Sequence, residues 1–199
     1  MVWRMTSPRA LTSRGAASRD LVVRATLRVL VRGGYPAVTW RAVAAEAGVS
    51  SGVLQHHFRD RRALLQAAFS AMADDLVAHL AGQSFDGAAS TGARLEGFLS
   101  ALDGYLTPER NVALLQLTLG LAQEAAALPQ DALMTMLVQQ ERVWWSLFPD
   151  VDRTTARTAL RLLHATLQGL AVQRVSVGTL GEPEVRALLV QVLALVLEG

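Results

Sequence analysis

The stretch Ala45 to Phe58, AEAGVSSGVLQHHF, has two adjacent histidines near its end, and histidine is the side chain best suited to metal binding and proton transfer near neutral pH. His56 and His57 would be neighbours on a helix, so their rings point about 100° apart and cannot readily share one metal ion. The chain has no cysteine, and no aspartate or further histidine stands at ligand spacing. We therefore expect no metal site and no catalytic histidine.

The rest of the sequence does not favour an enzyme either. It has no phosphate-cradling glycine loop and no carboxylate pair in an apolar setting. We expect a protein that is not an enzyme, has no catalytic residues and needs no cofactor.

The elements around the histidines predict a helix-turn-helix. Thr39 is a candidate N-cap for one short helix, which Gly48 ends, and Ser50 is a candidate N-cap for a second, from residue 51 to about residue 57. Asp60 then begins a longer helix, to about residue 81. In a DNA-binding helix-turn-helix the second helix offers its N-terminal residues to base edges, while the first lies across the DNA backbone.

Arginine placement favours DNA binding over simple packing of these helices. Arg61 and Arg62 fall in the first turn of the longer helix, and Arg41 falls in the first turn of the first short helix. Positive charge at a helix start opposes the helix dipole, unless a negative group such as a phosphate lies outside it. We therefore expect phosphate contacts at these helix starts.

The charge along the chain supports the same interpretation. All 19 basic residues are arginine, and 11 of them lie in residues 1–62, against three acidic residues. The remaining residues carry 8 arginines and 14 acidic residues, so a basic N-terminal part precedes an acidic remainder. Such asymmetry is typical of a nucleic-acid-binding module joined to another domain, although a solvated arginine-rich face would give the same count.

The segment GGYPAVTWRAVAAEAGVSSGVLQHHFRDRRALLQAAF resembles the DNA-binding segment of the tetracycline-repressor family of transcriptional regulators. The resemblance covers about residues 19–69. It implies an N-terminal three-helix helix-turn-helix domain and a C-terminal helical ligand-binding and dimerisation domain. The residues that fit the family pattern are Gly34, Tyr35, Thr39, Ala44, Ala47, Gly48, Val49, Ser50, Gly52, Leu54, His57, Phe58 and Leu64.

The chain departs from that pattern at three positions. Gln55 stands where the family usually has tyrosine, Ser51 where lysine is common, and Arg61 where lysine is usual. Glutamine can read adenine through two hydrogen bonds, so Gln55 is a candidate specificity residue. The candidate DNA contacts are Thr39, Arg41, Ser50, Ser51, Gly52, Val53, Gln55, His56, His57 and Arg61.

The remainder of the chain has an all-α pattern with no competing strand pattern. We expect a flexible basic arm at residues 1–17, the helix-turn-helix domain at 18–64, with Ser18 as its first N-cap, and an effector-binding and dimerisation domain at 65–199. The final helices, about 152–176 and 183–197, are the candidate homodimer interface, because the last one is apolar nearly all round. A central core helix is the competing interpretation.

Seven residues of the C-terminal part are candidates for contact with a small, largely hydrophobic effector. His164 and Gln168 lie one helical turn apart in an apolar run, and buried polar groups require partners. Aromatic residues at helical spacing also describe an ordinary core. The candidates are Phe98, Tyr105, Gln116, Trp144, Trp145, His164 and Gln168.

These patterns together predict a cytoplasmic, ligand-responsive regulator of transcription, without a membrane-spanning segment. Its expected partners are a double-stranded DNA operator, a second copy of the chain and a small-molecule effector. By the resemblance, the effector releases a repressor from a palindromic operator. The alternative is a nonspecific architectural DNA-binding protein that uses the same basic segment.

Overall fold

The computed structural model describes residues 13–83, 90–124, 130–178 and 182–199, which form nine α-helices and no β-strand. The all-α prediction is therefore confirmed. In chain order the helices are α1 (Ser13–Ala37), α2 (Trp40–Ala47), α3 (Ser51–His57), α4 (Arg61–Ala81), α5 (Thr91–Tyr105), α6 (Pro108–Gln123), α7 (Gln130–Leu147), α8 (Arg153–Val177) and α9 (Glu182–Glu198).

The boundaries of α2 and α4 follow from the residues that end them. The Thr39 side chain accepts a hydrogen bond from the Ala42 amide at 3.2 Å, and the Asp60 carboxylate accepts one from the Ala63 amide at 2.7 Å. Gly48 ends α2 with φ 67°, a left-handed conformation that favours glycine. These three positions were predicted correctly as helix ends.

The first helix differs from its prediction, because it already includes Ser13 and runs through Ser18 without a break. Ser18 therefore does not begin the helix. Its hydroxyl lies 3.1 Å from Nε2 of His57, so it contributes a contact between α1 and α3. Residues 13–17 of the predicted flexible arm are helical, and the rest of that arm lies outside the described residues.

Two hydrophobic clusters organise the chain. The first joins α1, α2 and α3 to the N-terminal half of α4, and we call these elements the head; its most deeply buried members include Val22, Leu54 and Leu65. The second joins the C-terminal half of α4 to α5, α7, α8 and α9, around Phe98 and Trp144. These elements, with α6, form the body.

Helix α6 links the head to the body. Its buried side chains Ala113, Leu117 and Leu121 belong to the head cluster, although α6 follows α5 in the chain. Helix α4 supplies residues to both clusters. The head is consequently packed on the body through two helices. Within the described residues, no helix is long and apolar enough to cross a membrane.

Candidate nucleic-acid interface and adjoining pocket

The α2–α3 turn presents a row of short polar side chains to solvent. Val53 and His57 are half-buried, and Val53 packs against the head cluster. Seven of the ten predicted DNA contacts are exposed: Thr39, Arg41, Ser50, Ser51, Gly52, Gln55 and His56.

Ser50 precedes α3, but its side chain makes no capping hydrogen bond. Its hydroxyl is therefore available to an acceptor outside the chain. The sequence from Gly48 to Gly52 has the Gly-x-Ser-x-Gly spacing of a hydrolase nucleophile, but that motif joins a strand to a helix in such enzymes. Here it joins two helices. At Gly52 an added Cβ would meet only the Ser50 hydroxyl, at 3.7 Å, so packing within the chain does not require glycine there.

The two histidines have different surroundings. His56 is exposed, whereas His57 is half-buried beside Ser18. Burial lowers the pKa of His57 below its usual value, and the nearby positive charges of His56 and Arg19 lower it further. The structure describes no group of three histidine, cysteine, aspartate or glutamate side chains placed to hold a metal ion.

Arg61, at the start of α4, has several partners within the chain. Its Nε donates to the Val38 carbonyl and its Nη2 to the Tyr35 carbonyl, both at 2.8 Å. Its Nη1 lies 2.6 Å from a carboxylate oxygen of Glu124 at the end of α6. The guanidinium also lies 4.4 Å from the centre of the Tyr35 ring. Each of its three guanidinium nitrogens thus has a partner within the chain, and the phosphate contact of Arg61 stays a prediction.

The neighbouring Arg62 is half-buried, like Arg61, but differs from it in its contacts. It makes no hydrogen bond or ion pair within the part of the chain that the structure describes. Arg62 falls in the same first helical turn as Arg61 but was not among the ten candidate DNA contacts. No property of the two residue types separates them, since only the tertiary contacts of α4 decide which arginine faces inward.

The end of α1 packs on one side of α6. The side-chain oxygen of Gln116 accepts a hydrogen bond from the Tyr35 amide at 3.0 Å. This contact follows Gly34, whose φ of 74° interrupts the helix. One turn farther along α6, an added Cβ at Gly120 would overlap the Tyr35 ring, and Glu124 follows after another turn. Gln116 was expected in the effector pocket, but its oxygen instead satisfies an amide of the head.

A cavity of about 270 Å³ lies among α4, α6, α7 and α8. His164 and Gln168 both line it, so the structure brings the predicted pair together. Its wall consists of Phe69, Leu76, Leu102, Leu106, Asn111, Leu114, Leu115, Thr118, Leu119, Met136, Leu137, Gln140, His164, Leu167, Gln168 and Ala171. We call this cavity the apolar pocket.

Three polar residues of the apolar pocket, Asn111, Thr118 and Gln140, were not among the predicted effector contacts. Gln140 is only 5% exposed, and Thr118 and Asn111 face the cavity from α6. Gln140 stands next to Gln139 and Glu141, so local polarity concealed its burial. Burial lowers the pKa of His164, which keeps the ring neutral near pH 7.

The other aromatic candidates lie outside this pocket. Phe98 and Trp144 pack edge to face in the body core, and the Trp144 indole donates to the Ala156 carbonyl at 2.8 Å. Trp145 lies under the guanidinium of Arg153. Tyr105 donates its hydroxyl to the Met72 carbonyl. Phe98, Trp144 and Tyr105 therefore belong to the body core, and Trp145 packs against it.

Helices α8 and α9 carry a broad apolar surface. Leu195 is 71% exposed and Leu188 is 60% exposed. On the same two helices the exposed large apolar side chains are Leu162, Val172, Val177, Val185, Leu188, Val192, Leu195 and Val196. Many exposed apolar side chains on two neighbouring helices are typical of a protein interface.

Comparison with known proteins agrees with this geometry. Residues 22–68 match the model of a family described as bacterial regulatory proteins, tetR family. No curated protein matches the chain. A tetR-family transcriptional regulator from Streptomyces coelicolor has a similar structure, with a TM-score of 0.72 and 17% identity over 91% of this chain and 80% of its own.

Two further structures resemble this one. A transcriptional regulator from Streptomyces coelicolor A3(2) is 25% identical, with a TM-score of 0.62 over 92% of this chain and 99% of its own. The multidrug binding protein EbrR, in complex with imidazole, is 23% identical, with a TM-score of 0.59 over 98% of this chain and 97% of its own. EbrR is also known in complex with ethidium.

Proposed function

We propose that this chain is a homodimeric repressor of the tetracycline-repressor family, which a small effector releases from a palindromic operator; the match of residues 22–68 to the family model supports this. The DNA-binding class follows from the helix-turn-helix segment. The observation that carries the effector response is the position of α6, because one side of this helix lines the apolar pocket while another holds the head.

The proposed DNA contacts divide into positioning and reading groups. Arg41 and Arg62 lie in the first turns of α2 and α4, and neither makes a hydrogen bond or ion pair among the described residues, although the Asp60 carboxylate attracts Arg62. They are the proposed phosphate contacts. Gln55 is exposed on α3 and is the proposed base-reading residue, since an amide can pair with both N6 and N7 of adenine.

The proposed dimer forms through the apolar surface of α8 and α9. Covering this surface with a second copy would remove Leu188 and Leu195 from water. A two-fold dimer presents two heads, which read half-sites about 34–36 Å apart when they lie one DNA turn apart. The spacing of the heads is thus the quantity that an effector must change.

The proposed switch depends on two sides of α6. Leu115 and Thr118 face the apolar pocket, while Gln116 and Gly120 hold the end of α1. An effector that moves or braces α6 therefore acts on the same helix that fixes the orientation of the head. For release, the effector must bind the conformation with low operator affinity more tightly than the conformation with high operator affinity.

The chemistry of the apolar pocket limits the effector to a largely hydrophobic molecule with a few polar groups. Its polar partners would be neutral at pH 7, namely the amides of Gln140 and Gln168 and the uncharged ring of His164. That EbrR has been crystallised with ethidium supports small organic ligands for this fold, although the fold alone is shared at that identity.

Selection of duplexes from a random DNA pool tests the DNA-reading half of the proposal. The purified protein should recover an inverted repeat, and Gln55→Ala should change the preferred bases without abolishing binding. Recovery of DNA with no shared sequence would instead support the architectural alternative. Loss of affinity for all sequences alike in Gln55→Ala would remove that residue from base reading.

The effector half is tested by titrating small hydrophobic compounds, ethidium among them, against the recovered operator complex. A productive effector should lower operator affinity by about 5- to 150-fold, the usual range of coupling between two sites. The same compound should fail in Leu115→Trp, which fills the pocket. A compound that binds the pocket and leaves operator affinity unchanged contradicts the proposed release.

A further inference from the structure

A second cleft lies between α1 of the head and the junction of α5 and α6 in the body. Its volume is about 450 Å³, within the range of about 300–1,000 Å³ typical of small-molecule sites. It shares no lining residue with the apolar pocket. Its lining consists of Arg24, Leu27, Arg28, Val31, Arg32, Met72, Asp75, Tyr105 and Arg110. We call it the arginine cleft.

Four guanidinium groups converge on this cleft from two sides. Arg24, Arg28 and Arg32 are spaced by four residues and therefore lie along one face of α1. Arg110 approaches from the first turns of α6, where its Nη1 donates to the Tyr105 carbonyl at 3.2 Å. The cleft thus has positive charge on both the head and the body.

The carboxylates near the cleft do not balance this charge. Asp75 accepts from Arg24 at 3.0 Å, and Asp20 adds a weaker attraction to the same guanidinium. The single carboxylate of Glu46 is shared, since one oxygen accepts from Arg28 at 2.7 Å and the other from Arg32 at 2.8 Å. Arg110 has a carbonyl and an aromatic ring as partners, and no carboxylate within the described chain.

These ion pairs leave guanidinium donors available. Each arginine has five N–H donors, and Arg28 and Arg32 each use one nitrogen on Glu46. The Arg32 side chain is 69% exposed in this pair. Exposed pairs contribute little net stability, because water competes for both charges, so an incoming anion can exchange for them. The phenol of Tyr105 also stays protonated, since burial raises its pKa to about 12.

The wall between the arginines is apolar. Leu27 and Val31 lie between the arginine positions of α1, and Met72 of α4 completes the wall. A bare inorganic anion would leave this wall in contact with water. The chemistry therefore suits a molecule with an anionic group for the guanidinium groups and an apolar part for the wall.

We infer that the arginine cleft is a second small-molecule site, specific for an amphipathic organic anion with a phosphate or carboxylate group. Arginine binds both groups through paired N–H donors. Because the cleft lies between α1 and the α5–α6 junction, its occupant contacts the head and the body together. It would supply a chemical input separate from that of the apolar pocket.

Calorimetric titration with octyl phosphate, octanol and inorganic phosphate, without DNA, tests this inference. Octyl phosphate should bind more tightly than either fragment, and more weakly as salt rises. The double variant Arg32→Gln/Arg110→Gln should lose about tenfold or more in affinity for octyl phosphate. Arg59→Gln/Arg142→Gln makes the same change of charge outside the cleft and should bind as the wild type does.

Asp75→Asn supplies a gain that a misfolded variant cannot imitate. Removing this carboxylate should tighten octyl phosphate binding by about threefold to tenfold. Equal affinity for octyl phosphate and octanol would overturn the inference, as would equal losses in the two double variants. If the cleft variants bound octyl phosphate as the wild type does but bound DNA less tightly in a separate titration, the arginines would be phosphate contacts for DNA and the small-molecule site would be rejected.

Discussion

At the scale of single residues, Arg61 and Arg62 show how neighbouring identical side chains acquire different roles. Both begin α4, where a positive charge opposes the helix dipole. Arg61 offsets this by donating to two backbone carbonyls and pairing with Glu124. Arg62 makes no hydrogen bond or ion pair among the described residues, although the Asp60 carboxylate attracts it, and an external phosphate is its proposed partner.

The two alanine variants should therefore differ in kind. Arg62→Ala should weaken binding to all DNA sequences alike and reduce the slope of log affinity against log salt by about 1. Arg61→Ala should instead lower the free energy of unfolding by about 1–3 kcal/mol, because the partly buried carbonyls of Tyr35 and Val38 lose their donor. Binding isotherms at several salt concentrations and urea denaturation separate the two. A reduced salt slope in Arg61→Ala would show that Arg61 contacts a DNA phosphate.

His164 gives a second prediction at this scale. Burial lowers its pKa in the folded state, so the unfolded state binds the proton more tightly. The stability that this group contributes is present above the unfolded pKa of about 6.5 and is lost as the pH falls below it. His164→Leu should consequently lose less stability than the wild type between about pH 8 and about pH 5. Urea midpoints at both pH values measure this, and equal losses would contradict it.

At the scale of the elements, α6 combines two surfaces that the sequence does not distinguish. Its run from Asn111 to Gln123 has no charged residue, so periodicity alone predicts a buried helix and no more. The structure turns one side to the apolar pocket and sets Gln116 and Gly120 against the head. The close approach of the Tyr35 ring explains why glycine stands at position 120.

Gly120→Ala should disturb this contact. The added methyl group would overlap the Tyr35 ring, and overpacking of this kind costs about 1–3 kcal/mol of folding free energy. Because Tyr35 follows the bend at Gly34, operator affinity should fall as well. Gly92→Ala is the matched control, since an added Cβ in that part of α5 meets nothing within 4 Å. Urea denaturation and operator binding of both variants decide the matter.

The sequence predicted elements well and the partners of polar side chains poorly. Thr39, Gly48 and Asp60 act within one turn of their own helix, so local chemistry determines them. Gln116 and Arg61 find their partners 81 and 63 residues away in the chain, and no local pattern reports such distances. His164 and Gln168 were found because a shared helical face is itself a local property.

At the scale of the whole molecule, the basic head and the apolar surface of α8 and α9 are distinct faces. Leu188→Glu should place a charge in the proposed dimer interface and yield a monomer with much weaker operator binding. Val138→Glu on α7 alters a residue of 40% exposure outside that surface and should leave the dimer intact. Light scattering after gel filtration distinguishes the two masses. A dimeric Leu188→Glu would direct the search for the interface elsewhere.

The contact of Tyr35 with α6 limits which bodies the head can be joined to in a chimeric protein. A chimera that joins residues up to about 64 of this chain to the body of another protein would lack three features of α6. These are the amide oxygen of Gln116, the space that Gly120 leaves for the Tyr35 ring, and the carboxylate of Glu124. Such a chimera should therefore bind operator without responding to the effector, or should fold poorly. Introducing these three α6 residues into the chimera should restore the response. The part of the chain that must be transferred as a unit is therefore discontinuous in sequence.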